Sequence, residues 1–161
     1  MWPKLTGTGA MDPVVASAVD EAWQRGERKV GTDHLLLGLL HDQEVAEFLG
    51  VTATQARTAL AGLDQAALLQ IGLDVRGLEL PAAAPLKRRR PSLASNSPTA
   101  GFRGVISRAV ADNGGRIRGL TPRHLLRSLL TVASSDPAAQ VLRQLEIDPS
   151  ALRARLDEQM A

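Results

Sequence analysis

Apolar residues recur along this chain in short blocks with helical spacing. Val15, Ala18, Val19 and Ala22 share one face of a helix predicted over about 12–25. Asp12-Pro13 opens it, because Asp accepts from a free backbone N–H and Pro suits the first helical position. Gly26 closes it. Leu35, Leu36, Leu39 and Leu40 line a second helix, with Thr32 as the expected cap. A short third helix near 44–49 ends at Gly50. Thr52 or Thr54 starts a fourth, with Ala56, Leu60 and Leu63 inward and an extension towards Leu69.

The periodic pattern stops over 72–101, then returns. One helix is expected over about 102–113, ending at Gly114-Gly115. Thr121-Pro122, Asp136-Pro137 and Asp148-Pro149 each pair a capping side chain with a proline, so three more helix starts follow.

The second set of blocks repeats the first. His34-Leu35-Leu36 and Leu39-Leu40 align with His124-Leu125-Leu126 and Leu129-Leu130. Upstream, Val14-Val15 and Ala18-Val19 answer Val105-Ile106 and Ala109-Val110. Downstream, Leu49-Gly50-Val51, Arg57 and Leu60 answer Leu145-Glu146-Ile147, Arg153 and Leu156. Three segments recurring in one order, roughly 90 residues apart, identify an internal duplication. The expected fold is all-α: two four-helix repeats related by a pseudo-twofold axis and packed as one domain. Residues 1–71 form repeat one, 72–101 a linker and 102–161 repeat two. The linker holds Pro81, Pro85, Pro91 and Pro98 and the run Lys87-Arg88-Arg89-Arg90, and has little to bury.

Composition agrees with helices. Trp2, Trp23, Phe48 and Phe102 are the only aromatic residues, so strand-forming side chains are scarce. No apolar run reaches the length that spans a bilayer, and the N-terminus lacks a signal-peptide core; a soluble, cytoplasmic protein is expected, with no membrane partner. Charge is uneven. Residues 1–75 carry a net −5 and residues 76–161 a net +7. Such polarity can guide partners, and it also arises as drift of a solvated surface.

Several chemistries are excluded or disfavoured. No G-x-x-x-x-G-K-[ST] phosphate loop exists, and none of Lys4, Lys29 and Lys87 follows a glycine, so the chain is not an ATPase motor. There is no cysteine, hence no thiolate chemistry. His34, His41 and His124 are the only histidines. His34 and His124 stand at matching helix starts, where a local hydrogen bond explains each. His34 and His41 lie seven residues apart with no cysteine to help, so no metal site or cofactor is expected. The expectation is a protein that is not an enzyme. The basic run Lys87–Arg90 suits phosphates, yet no recognition-helix pattern supports it, and nucleic acid is not the favoured partner.

The motif Gly31-Thr32-Asp33-His34-Leu35-Leu36-Leu37-Gly38-Leu39-Leu40 resembles the hallmark G-T-E-H-[IL]-L-L-[GA]-[IL] of the Clp N-terminal domain, or Clp repeat. That domain precedes the ATPase modules of Clp-type AAA+ unfoldases. Met1-Trp2-Pro3-Lys4-Leu5-Thr6 looks like the family's M-F-x-x-F-T opening, and Phe102-Arg103 stands where its second repeat begins. The resemblance covers essentially the whole chain. The second copy has lost the motif acid and carries Arg123 there, the third helix of repeat one is short, and no ATPase modules follow.

The resemblance implies a stand-alone binding module serving a Clp unfoldase–protease system as adaptor, competitor or decoy. Its implied partners are a Clp-type unfoldase, its adaptors or substrates, cyclic-peptide antibiotics and phosphoarginine-bearing proteins. The implied contacts are Trp2, Leu5 and Phe102 on the apolar side and Thr32 with Asp33 for a guanidinium. Core packing is the competing reading of the aromatics, and helix-dipole stabilisation that of Asp33. A regulatory or nucleic-acid-associated protein using the basic linker, or a fragment of a full-length Clp ATPase, is the alternative.

Overall fold

The computed structural model describes residues 12–78 and 98–161. Trp2, Leu5, most of the linker and its basic run lie outside the described residues.

Eight helices make up the described residues, in two runs of four. They are α1 (Asp12–Gln24), α2 (Thr32–Leu39), α3 (Gln43–Leu49), α4 (Ala53–Gln70), α5 (Ala100–Asp112), α6 (Pro122–Leu129), α7 (Pro137–Gln144) and α8 (Pro149–Met160). No strand occurs among them; Val30 and Pro98 form one isolated parallel bridge. The caps explain the boundaries. Asp42, Thr52, Thr99, Asp136 and Asp148 each accept a backbone N–H from the first turn that follows. Gly26 and Gly50 take the left-handed conformation that ends α1 and α3. Where Gly50 closes α3, Glu146 follows α7 with φ 58°, a left-handed backbone that costs any residue with a Cβ.

Two boundaries differ from expectation. α5 begins at Ala100, because the Thr99 hydroxyl accepts from Phe102 N at 3.2 Å. The cap of α2 is Gly31, not Thr32, which is the first helical residue.

One continuous core takes residues from every helix. The leucine rows are its centre: Leu35, Leu36, Leu39, Leu125, Leu126 and Leu129 are buried. α2 packs on α7, and its counterpart α6 packs on α3; α2 and α6 also touch each other. Reciprocal contacts of this kind are what a two-fold relation between repeats produces. Arg155 of α8 lies 5.0 Å from the centre of the Phe48 ring of α3, tying the repeats again.

The repeats are not equally tight. A Cβ built on Gly38 of α2 would stand 2.5 Å from the Val14 carbonyl oxygen and 2.8 Å from Ala18 N, so α1 and α2 meet backbone to backbone. The matching residue of α6 is Ser128. Its buried hydroxyl has no hydrogen-bond partner, and α6 packs less closely on α5 than α2 does on α1.

Each repeat is also clamped by charge, with inverted polarity. In repeat one the hub is an acid. Glu21 of α1 is buried, Arg57 Nε of α4 donates to it at 3.0 Å, a second Arg57 nitrogen also bonds it, and His41 Nε2 lies 2.8 Å away. In repeat two the hub is a base. Arg127 of α6 reaches Asp157 of α8 at 2.5 Å and Asp112 of α5 at 3.5 Å. Burial alone would push the Glu21 carboxyl up; the hydrogen bonds from Arg57 and His41 outweigh it and hold the carboxyl below its ordinary value.

Two outcomes follow. Gly38→Ser, which installs the repeat-two residue, should cost about 1–3 kcal/mol or more by overpacking, read by urea denaturation; Ser128→Gly should cost far less. Because Glu21 titrates lower when folded, its contribution is complete above the ordinary carboxylate range. It is lost as pH falls through the lowered folded value. Glu21→Gln should lower the melting temperature at pH 7 and flatten its decline below about pH 5. Parallel melting-versus-pH curves for the two proteins would refute the clamp.

Candidate binding site

The candidate site is the start of α2. Val30, fully buried, pins the loop before it, and Thr99 N donates to the Val30 carbonyl at 3.0 Å. Gly31 follows as the N-cap with extended backbone. Its lack of a side chain matters. A Cβ there would lie 2.5 Å from Asp33 Oδ1, so glycine is what lets the Asp33 carboxylate fold back over the helix start. An acid in that first turn is favoured by the helix dipole.

His34 completes the turn. Its Nδ1 accepts the Gly31 N–H at 2.9 Å, which leaves the ring proton on Nε2. His124 repeats the device in α6, accepting from Thr121 N at 3.2 Å and from the Thr121 hydroxyl at 2.8 Å. The local-bond expectation for both histidines therefore holds. His34 Nε2 faces Glu27 Oε2 at 3.6 Å, longer than a hydrogen bond, and has no other partner. Even at that distance the His34 ring is the largest influence holding the Glu27 carboxyl below its ordinary value, against partial burial and with help from Arg25 at 3.1 Å.

Glu27, Asp33 and His34 thus bring three potential ligand atoms within 4.8 Å of one another. The tautomer decides their chemistry. One ring nitrogen of His34 is engaged by Gly31 and the other carries the proton, so the imidazole offers no lone pair to a metal. What remains is a pair of carboxylates. Such a pair suits a hydrogen-bonding cation, a guanidinium or an ammonium.

The other expected site residues are placed differently. Thr32 is buried, and its hydroxyl donates to Asp136 Oδ1 at 2.6 Å across the repeats, so it is not available to a ligand. Phe102 is fully buried in the first turn of α5; its ring belongs to the core and is not a surface anchor. Trp2 and Leu5 lie outside the described residues. Asp33 is the expected contact that the structure leaves partly open, with its side chain 12% exposed. At the matching position Arg123 is half-exposed and approaches Glu44 of α3 at 3.4 Å.

Two site residues escaped the sequence reading. Glu27 carries no motif signal, because a loop of charged residues reads as solvated. Asp136 was legible as a cap, through Asp136-Pro137, but not as the acceptor for a hydroxyl 104 residues away.

Scanned against protein-family models, the sequence matches none, and no curated protein matches it. The fold does have a match among solved structures. The N-terminal domain of the caseinolytic-protease-associated chaperone ClpD from Arabidopsis thaliana superposes with a TM-score of 0.66 and 22% identity, covering 96% of each chain. The fold is that of a Clp N-terminal domain, as the motif resemblance implied. Among the described residues, no helix is long and apolar enough to cross a membrane.

The Thr32–Asp136 bond should be measurable. Thr32→Val keeps the shape and removes the donor, so it should cost about 1–3 kcal/mol. Asp136→Ala should cost at least as much, since it also uncaps α7. In a double-mutant cycle the two losses should couple by about 0.5–3 kcal/mol; simple additivity would show that the bond contributes nothing.

Proposed function

We propose that the protein is a non-catalytic peptide- and protein-binding module of a Clp unfoldase–protease system, acting as adaptor, competitor or decoy. Its ligands on this reading are a Clp-type unfoldase, the adaptors or substrates of one, cyclic-peptide antibiotics or phosphoarginine-bearing proteins. It works in the cytoplasm. The observation that carries the reading is the Asp33 carboxylate. It is held over the start of α2 by Gly31, stands close to Glu27, and has no Lys or Arg partner among the described residues. A carboxylate fixed in that way accepts a guanidinium without first reorganising. The Clp N-domain fold over 96% of the chain supports the same assignment.

The remaining residues take distinct roles. Thr32 positions Asp33 by locking the first turn of α2 to α7. Phe102 supports the adjoining first turn of α5 from the core. Trp2 and Leu5 are proposed as apolar ligand contacts, on the strength of the motif resemblance.

The test is a titration of the purified protein with labelled peptides bearing arginine, phosphoarginine or neither. Arginine-type peptides should bind, and Asp33→Asn should weaken them about 5–10-fold at unchanged helical content, matching the loss of one charge-assisted hydrogen bond. Peptides lacking the cation should be indifferent to the substitution. If none of the peptides binds, while an oligonucleotide binds through Lys87–Arg90 with steep salt dependence, the nucleic-acid reading replaces this one.

A further inference from the structure

The two repeats place opposite charges at one matching position, Asp33 in the first turn of α2 and Arg123 in the first turn of α6. The stretch that enters and opens α2 mixes signs, with Glu27 and Asp33 beside Arg28 and Lys29. The stretch that enters and opens α6 carries Arg116, Arg118 and Arg123, and no acid occurs between Asp112 and Asp136. Arg116 and Arg118 are exposed, and neither side chain has an acidic partner among the described residues. Their loop is nevertheless held: Asn113 Nδ2 donates to the Arg116 carbonyl at 2.8 Å and to the Arg118 carbonyl at 3.3 Å.

Arg123 has one acidic neighbour, and the contact is weak. It meets Glu44 at 3.4 Å with the two side chains 42% and 75% exposed. An ion pair that open to water contributes little, so an incoming carboxylate can displace Glu44. The guanidinium presents a planar fork that matches a carboxylate, and the opening dipole of α6 adds positive potential.

We infer that this edge of repeat two is a contact surface for a carboxylate-bearing, acidic polypeptide segment. The anion contact stands by itself; its pairing with a basic residue at Asp33, so that one partner is read for both signs, rests on the function proposed above. A polypeptide fits better than a nucleic acid. α3, which packs on α6, exposes Glu44 and Glu47, and these repel a continuous polyanion but leave room for a discrete carboxylate.

Fluorescence anisotropy with three labelled peptides of equal length tests this: one acid-rich without bases, one base-rich without acids, one neutral. The acid-rich peptide should bind the parent protein. Arg123→Glu should weaken it about tenfold, the loss of roughly one charged contact. The double variant Arg116→Ala/Arg118→Ala should weaken it about threefold. Glu44→Gln should tighten it, because Arg123 is released; a merely structural role for the pair would not produce that gain. Binding of the base-rich peptide should ignore all of these and respond to Asp33→Asn. The inference fails if the acid-rich peptide does not bind the parent, or binds parent and Arg123→Glu alike. It fails equally if a single-stranded oligonucleotide binds in an Arg123-dependent way while the acid-rich peptide does not. Failure of the base-rich peptide alone would remove the Asp33 reading and leave this one standing.

Discussion

The structure turns on the contact between Thr32 and Asp136. Three helix starts converge there: α2 through Thr32, α5 through Gly101 and α7 through its cap Asp136. Each brings unpaired N–H groups and the positive end of a dipole, so three starts close together would repel. Asp136 is the anion that makes the meeting tolerable. One of its oxygens accepts from both Ala138 N and the Thr32 hydroxyl. Gly101 permits the approach, since a Cβ there would lie 3.2 Å from Thr32 Cγ2 and 3.3 Å from the other oxygen of Asp136. Once that junction is fixed, α2 lies along α7, the leucine rows close, and the start of α2 presents Asp33 in one orientation.

Around that junction the duplicated halves have diverged in how they solve the same problem. Repeat one draws its first two helices together through Gly38, and repeat two keeps them apart with Ser128. Repeat one gathers Arg57 and His41 around a buried acid, and repeat two gathers acids around Arg127. Hydrophobic matching is retained because both halves contribute to one core. Polar matching is free to invert, because a clamp functions with either sign at its centre. The same freedom at the surface converts the Asp33 position of one repeat into the Arg123 position of the other.

Much of this was legible in the sequence. The leucine rows, the cap-plus-proline pairs and the recurrence of three segments specify eight helices and their order, because helical periodicity and capping are local properties. The reading failed where a residue's role depends on distant chain. Thr32 looked like a cap because a hydroxyl usually serves at that position better than glycine does; its true partner is on α7. For Phe102 the pattern leaves core packing and a surface contact both open, and α5, beginning at Ala100, turns the ring into the core. Glu27 carried no signal at all. Its role arises from the orientation of the His34 ring, which is set by a backbone N–H that no side-chain pattern reveals.

The reciprocal packing has a consequence for birth on the ribosome. The partner of Thr32 is 104 residues downstream, and α2 packs on α5, α6 and α7 of repeat two as well as on its own repeat. At ordinary elongation rates repeat one waits roughly 5–20 seconds for that surface to emerge. During the wait the part of α2 that repeat two covers stays open. Long-range closure of this kind is also slow once the chain is free. A protein whose fold is that of a chaperone's N-terminal domain therefore has an interval in its own synthesis when part of its core lacks a partner.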